Sequence, residues 1–172
     1  MWYDFPVMED VLSPIPPIRS VCFTGHRDLP PRTTAAYRQL VSRTEAAIRR
    51  AFEAGARRFY CGGAEGFDLL AGKLVLLEQE RHLDLHLVLL LPYTGFGEGF
   101  SPADKAELQR LKKGAEEMVF LSNHYFPGCM AIRNRQLVAD ADLCIAYLTR
   151  TPSGTAQTVG FAREKGIEIV YV

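Results

Sequence analysis

Short apolar runs alternate with amphipathic stretches along the chain from residue 19 onward. Runs rich in β-branched, aromatic or leucine residues predict six strands, over residues 20–24, 58–61, 84–91, 118–121, 143–148 and 167–172. Apolar positions at helical spacing predict helices over 34–54, 67–80, 130–139 and 155–165, with a further helix opening at Ser101-Pro102-Ala103-Asp104, where serine caps and proline takes the first helical position. The alternation predicts an α/β fold: a single-domain, Rossmann-like three-layer sandwich around a mainly parallel sheet.

The order of the strands can be predicted in part. We expect the strand at 20–24 to be central, and the last strand to lie on the far side of it together with the fourth and the fifth. The helix at 67–80 is apolar over much of its circumference, so we expect it to be among the most buried.

Residues 1–18 differ in composition from the rest of the chain. They contain Trp2, Tyr3 and Phe5 together with four prolines, at positions 6, 14, 16 and 17. Prolines favour extended backbone over helix. We therefore divide the chain into an extended N-terminal arm, residues 1–18, and one domain, residues 19–172.

Charge and hydropathy narrow the class of protein. The 172 residues contain 20 Lys and Arg against 20 Asp and Glu, so no overall field attracts duplex nucleic acid or an anionic membrane. The first residues lack the charge and apolar pattern of a signal peptide, and the longest apolar run, 85–92, is far shorter than a membrane span. We expect a cytoplasmic protein with no membrane partner, and we leave homo-oligomerisation open.

The four cysteines do not indicate a metal site. Cys22, Cys61 and Cys144 lie in predicted strands, and no pair has the spacing of zinc ligands. Buried reduced thiols are the simplest interpretation. The sequence thus indicates neither a disulfide nor a bound metal.

Glycines and cations follow four of the predicted strands. At the carboxyl edge of a parallel sheet, a glycine turn before a helix presents backbone N–H groups to an anion. We therefore predict a site for a phosphorylated small molecule, most simply a nucleotide or nucleotide derivative, and no other cofactor. The predicted ligand-binding residues are Gly25, His26, Arg27, Gly62, Gly63, Ala64, Glu65, Gly66, Asp68, Arg133, Asn134, Ser153, Gly154 and Thr155.

Each of these elements also has a structural interpretation. Gly62 and Gly63 could serve only a tight turn, and a hydroxyl in the segment 153–155 could simply cap the last helix. The carboxylates of Glu65 and Asp68 would repel a phosphate, so sugar or water contacts suit them better. On a helix, neighbouring side chains point about 100° apart, so we expect one residue of the segment 133–135 to face the cleft.

The motifs in their order resemble the YpsA-like family of the SLOG superfamily. The resemblance rests on residues 21–27, 62–68, 133–134 and 141–147 with 154–155, and covers about residues 19–172. It implies a Rossmann-like fold with a pocket for nucleotide-derived ligands. The superfamily also includes the Smf/DprA proteins, which bind single-stranded DNA and share the step at Gly66-Phe67-Asp68, and the LOG phosphoribohydrolases.

The stretch from Arg133 to Thr155 is similar to the LOG pattern. Arg133 matches an arginine of the LOG enzymes. Gly154-Thr155 matches their glycine–threonine pair. However, Thr158 occupies the position of the LOG glutamate, and Ser153 stands where a glycine is expected. A threonine cannot provide the carboxylate that assists loss of a base from ribose monophosphate.

Three functions therefore remain open. The first is binding or sensing of a nucleotide-like small molecule. The second is an enzyme, either a phosphoribohydrolase-like nucleotide N-glycosidase or a phosphohydrolase, with Glu65, Asp68 and Arg133 as candidate catalytic residues. The third is binding of single-stranded DNA like that of Smf/DprA proteins. It has the least support of the three, because the net charge of the chain is zero.

Overall fold

The computed structural model describes residues 17–172. The arm expected over residues 1–18 lies outside the described residues except for its last two. Within the described residues six strands and five helices alternate: β1 Ser20–Gly25, α1 Ala35–Glu53, β2 Arg58–Cys61, α2 Phe67–Gln79, β3 His86–Leu91, α3 Pro102–Gly114, β4 Glu117–Phe120, α4 Cys129–Ala139, β5 Leu143–Tyr147, α5 Gly154–Lys165 and β6 Glu168–Tyr171. The α/β fold predicted from the alternating pattern is confirmed.

The strands form one sheet in the order β4-β3-β2-β1-β5-β6. Every neighbouring pair is parallel. The central position of β1 is therefore confirmed. The prediction that β6 lies on the same side as β4 is wrong, because β6 pairs with β5 whereas β4 pairs with β3 at the opposite edge.

Alternate residues of β1 point to opposite faces of the sheet and are buried in different cores. Val21 and Phe23 of β1 pack in a core with the apolar faces of α1, α2 and α3. Cys22, between them, packs in a second core with residues of α4 and α5. Nine residues of α2 are buried, as its apolar circumference predicted. The result is a three-layer sandwich with three helices on one face and two on the other.

Serine side chains cap the first turns of α3 and α5. The Ser101 hydroxyl accepts a hydrogen bond from the N–H of Asp104 at 3.2 Å, and Pro102 occupies the first helical turn, as predicted. The Ser153 hydroxyl accepts from the N–H of Ala156 at 3.0 Å and caps α5. Within residues 17–172, none of the helices is long and apolar enough to cross a membrane.

Candidate ligand-binding site

The chain reverses its direction across the sheet at β1 and β5. From β1 it moves outward through β2, β3 and β4, and then it returns to place β5 on the other side of β1. The loops that follow β1 and β5 leave on opposite faces of such a sheet, which opens a crevice between them. A cavity of about 280 Å³ lies there.

Ten of the predicted residues line this cavity, which we call the β1–β5 cavity. They are Gly25, His26, Arg27, Ala64, Asp68, Arg133, Asn134, Ser153, Gly154 and Thr155. They come from the end of β1, the loops after β1 and β2, the first turn of α2, the second turn of α4 and the start of α5. The fold thus brings these ten residues together at the carboxyl edge of the sheet.

Gly62 and Gly63 lie behind the wall of the cavity. A Cβ on Gly62 would overlap the guanidinium of Arg133, and a Cβ on Gly63, where φ is +67°, would lie 2.8 Å from Leu91 Cδ2. Two backbone N–H groups of this turn already donate hydrogen bonds within the protein. The N–H of Gly63 donates to the Cys61 sulfur at 3.4 Å, and the N–H of Ala64 donates to Asp68 Oδ2 at 3.2 Å. These contacts favour the packing interpretation of the glycine pair.

Glu65 and Gly66 face a different space. They line a larger cavity of about 700 Å³ on the side of α1, α2 and α3, and Arg27 lines both this cavity and the β1–β5 cavity. Gly66 has φ +78°, and a Cβ there would overlap the carbonyl group of Arg27. Glycine is thus required where the start of α2 crosses the loop after β1.

Asp68 and Arg133 form a buried ionic pair. Their side chains lie 3.9 Å apart from Oδ2 to Nη1, and the two residues are 5% and 3% exposed. Arg133 donates through Nε to Asn134 Oδ1 at 2.8 Å and through Nη1 to the carbonyl oxygen of Gly62. Burial raises the pKa of Asp68, while the nearby Arg133 opposes that shift. The aspartate therefore connects Arg133 to the turn after β2 while it also lines the cavity.

The residues next to Arg133 divide between the cavity and the surface. Asn134 lines the cavity beside Arg133, so two residues of the segment 133–135 face the cleft, where we expected one. The guanidinium of Arg135 lies 4.0 Å from the centroid of the Phe161 ring instead.

His26 is buried at the end of β1 and joins three elements. Its Nε2 accepts a hydrogen bond from the N–H of Thr149 at 2.9 Å, and its Nδ1 lies 3.5 Å from Thr155 Oγ1. Burial, with a smaller effect of Arg150, lowers the pKa of His26. The side chain is therefore neutral at pH 7, with its proton on Nδ1, because Nε2 acts as the acceptor. It fixes the loop after β5 against the loop after β1.

Thr158, at the position of the LOG glutamate, is fully buried on α5. Its hydroxyl donates to the carbonyl oxygen of Gly154 at 2.9 Å. Asp68 is the sole carboxylate among the described residues that line the cavity, against three arginines, 27, 133 and 150. Within residues 17–172, no three His, Cys, Asp or Glu side chains are grouped to hold a metal ion.

Several residues near the site were not singled out from the sequence. Arg150 lines the cavity and makes a two-fold ion pair with Asp28, at 2.6 and 2.8 Å. Tyr93, Tyr125 and Met130 line an adjoining cavity of about 480 Å³. The glycine-rich segment 92–99 could have pointed to this adjoining cavity. It was not selected because we searched for cations that bind a phosphate, and the segment contains none.

Comparison with known proteins agrees with the fold. The model of the YspA SLOG family matches residues 22–160, which is most of the chain. The chain belongs to this family. The resemblance inferred from the sequence motifs is thereby confirmed. A search of curated proteins found no match.

Two solved structures of DNA processing protein A share the fold. The protein from Helicobacter pylori, described with a single-stranded DNA binding mode, superimposes with a TM-score of 0.64 at 19% identity. The protein from Streptococcus pneumoniae gives a TM-score of 0.64 at 18% identity. Each alignment covers 89% of this chain, but the chain spans only 64% and 50% of those two proteins.

Proposed function

We propose that this protein binds a phosphorylated nucleotide derivative in the β1–β5 cavity and acts as a binding or sensing protein. The observation that carries the proposal is the pairing of the first turn of α5 with the buried Arg133 in one cavity. The N–H groups of Gly154 and Thr155 lie in that turn, and a helix N-terminus attracts an anion. Membership of the YspA SLOG family supports a nucleotide-related ligand.

The charges around the cavity support an anionic ligand. Arg133 uses Nε and Nη1 within the protein, but its Nη2 makes no hydrogen bond among residues 17–172. Arg27 is exposed at the rim, and its guanidinium makes no ion pair within the same residues. A phosphate at the start of α5 would find donors from the backbone and from these guanidinium groups.

The site is poorly equipped for hydrolysis. The LOG-type carboxylate is replaced by Thr158, whose hydroxyl bonds the backbone of its own helix. Asp68 is held between Ala64 and Arg133, and Glu65 lies in other cavities. Binding without turnover therefore agrees with the geometry better than the glycosidase alternative does.

Calorimetric titration with adenosine 5′-monophosphate and ribose 5-phosphate tests the proposal. Arg27→Ala removes a rim cation without disturbing an internal contact, so we expect binding about 10- to 100-fold weaker, the loss of one charged hydrogen bond. Arg43→Ala is the matched control, because Arg43 is an exposed arginine on α1 outside the cavity. Equal affinity in all three proteins, or no binding of any phosphorylated compound, would contradict the proposal.

Binding of single-stranded DNA is the second candidate. One observation favours it: the chain shares its fold with DNA processing protein A from Helicobacter pylori, for which a single-stranded DNA binding mode is described. The same titration with a short oligonucleotide at two salt concentrations separates the two candidates. Affinity that falls steeply with salt and exceeds that of free nucleotides would favour DNA.

A further inference from the structure

We propose that the cavity beside Tyr93 and Tyr125 is the base subsite of the ligand-binding site, and that it selects bases with an exocyclic amine. This inference rests on the proposed binding of a nucleotide. We call the space the aromatic cavity. It measures about 480 Å³, and Arg27 and Met130 line both it and the β1–β5 cavity, so the two spaces adjoin.

Tyr93, in the wall of the aromatic cavity, packs against two other aromatic rings. Tyr93 meets Tyr125 edge to face, with ring centroids 5.6 Å apart, and meets Phe96 at the same distance on another side. Phe96 is buried and contacts Phe100 in turn, at 5.3 Å. Tyr93 is therefore held by packing, whereas Tyr125 is 61% exposed. An exposed ring beside a cavity offers a face on which a base can stack.

The charges of the two cavities differ in sign. Three arginines and one carboxylate line the β1–β5 cavity. The aromatic cavity has Glu65 and Glu98 on its wall, and Arg27 stands at the border. The carboxylates repel a phosphate and accept hydrogen bonds from amines. The phosphate therefore belongs at α5 and the base between Tyr125 and the two glutamates.

The same carboxylates predict which bases fit. Adenine, guanine and cytosine carry an exocyclic amine that donates hydrogen bonds, whereas uracil and thymine carry none. Glu65 is half-buried and Glu98 is exposed, so a base that covers Glu65 without donating to it leaves a desolvated acceptor without a partner, which is unfavourable. Adenosine 5′-monophosphate should accordingly bind more tightly than uridine 5′-monophosphate, and both more tightly than ribose 5-phosphate.

Titration of the wild type and of Tyr125→Ala with these three compounds tests the inference. Stacking on one aromatic ring corresponds to about 5- to 150-fold in affinity. We expect Tyr125→Ala to lose most of the advantage of adenosine 5′-monophosphate over ribose 5-phosphate and to bind ribose 5-phosphate as the wild type does. Tyr125→Phe should retain the advantage, because it keeps the ring. Tyr171→Ala is the matched control, since Tyr171 is 51% exposed on β6, the edge strand opposite β4, and lines neither cavity.

A double variant, Glu65→Gln with Glu98→Gln, examines the choice of base. It should reduce the preference for adenosine over uridine monophosphate, and it should not weaken ribose 5-phosphate binding, because it removes two negative charges from the adjoining cavity. Equal affinities of the wild type for all three compounds would overturn the base subsite while the phosphate site stands. Failure of all three to bind would instead contradict the proposed function, and the subsite with it.

Oligonucleotides distinguish a free nucleotide from a strand as the source of the base. The titration is repeated with single-stranded oligo(dA) and oligo(dT). A preference for oligo(dA) that Tyr125→Ala removes would support the same subsite acting on a strand. Oligonucleotide binding that ignores both the base and Tyr125 would count against it.

Discussion

His26 Nε2 accepts a hydrogen bond from the backbone N–H of Thr149 at 2.9 Å, across 123 positions of sequence. The contact joins the loop after β1 to the loop after β5, the two loops that bound the β1–β5 cavity. Because the bond needs an unprotonated Nε2, the geometry of the cavity depends on a neutral histidine.

Stability should therefore fall in mild acid. Burial lowers the pKa of His26 below its ordinary 6.5, so the unfolded chain binds a proton more readily than the folded one does. The stabilisation is present above about pH 6.5 and is lost as the pH falls toward the folded-state pKa. We expect the Tm of the wild type to drop between pH 7.5 and 5 by more than that of His26→Gln, measured by differential scanning calorimetry. His124→Gln, which removes an exposed histidine, should keep the wild-type slope.

Breaking the Asp68–Arg133 pair should destabilise the fold. Arg133→Met leaves a buried carboxylate without its cation, which costs about 3–5 kcal/mol. We expect urea unfolding to show this loss, and the double variant Asp68→Leu with Arg133→Met to be less destabilised than the sum of the single variants, with a coupling of about 0.5–3 kcal/mol. Strict additivity would mean that the two side chains do not interact. Since Arg133 is part of the fold, Arg27 is the better residue for testing binding.

Two glycines should respond to alanine in opposite directions. Gly66→Ala places a side chain at φ +78° against the Arg27 carbonyl group, and we expect a loss of about 1–3 kcal/mol. Gly160 lies within α5, and a Cβ there meets nothing within 4 Å. Gly160→Ala should stabilise the protein by about 0.5–1 kcal/mol, through helix propensity. Thermal unfolding of both variants measures the contrast, and a stable Gly66→Ala would show that the crossing relaxes easily.

Release of adenine from adenosine 5′-monophosphate should be absent or very slow, because Thr158 replaces the LOG glutamate and Asp68, the sole carboxylate among the described residues that line the β1–β5 cavity, is paired with Arg133. Chromatography of the products measures this. Thr158→Glu should not create activity, since Thr158 is fully buried and a charge there lowers stability. Thr158→Val is the control that keeps size without charge. Rapid base release by the wild type, abolished by Glu65→Gln or Asp68→Asn, would establish the glycosidase instead.

Local patterns predicted most of the elements. The six strands and five helices lie close to where apolar runs, helical spacing and caps placed them, and Ser101 and Ser153 cap α3 and α5. The side of the sheet taken by β4 was not predicted correctly. Its sequence is compatible with either edge, because the position of an edge strand depends on which way the preceding helix crosses the sheet.

The sequence by itself determined the alternation of strands and helices, the parallel sheet and the glycine and arginine residues at its carboxyl edge, because periodicity and turn chemistry act over a few neighbouring residues. The tertiary structure alone decided which of these residues share a cavity. It placed Gly62 behind Arg133, paired Arg133 with Asp68, and put Tyr125 beside Tyr93. Such pairings depend on packing between elements far apart in sequence, where a single side chain's volume or charge selects its partner.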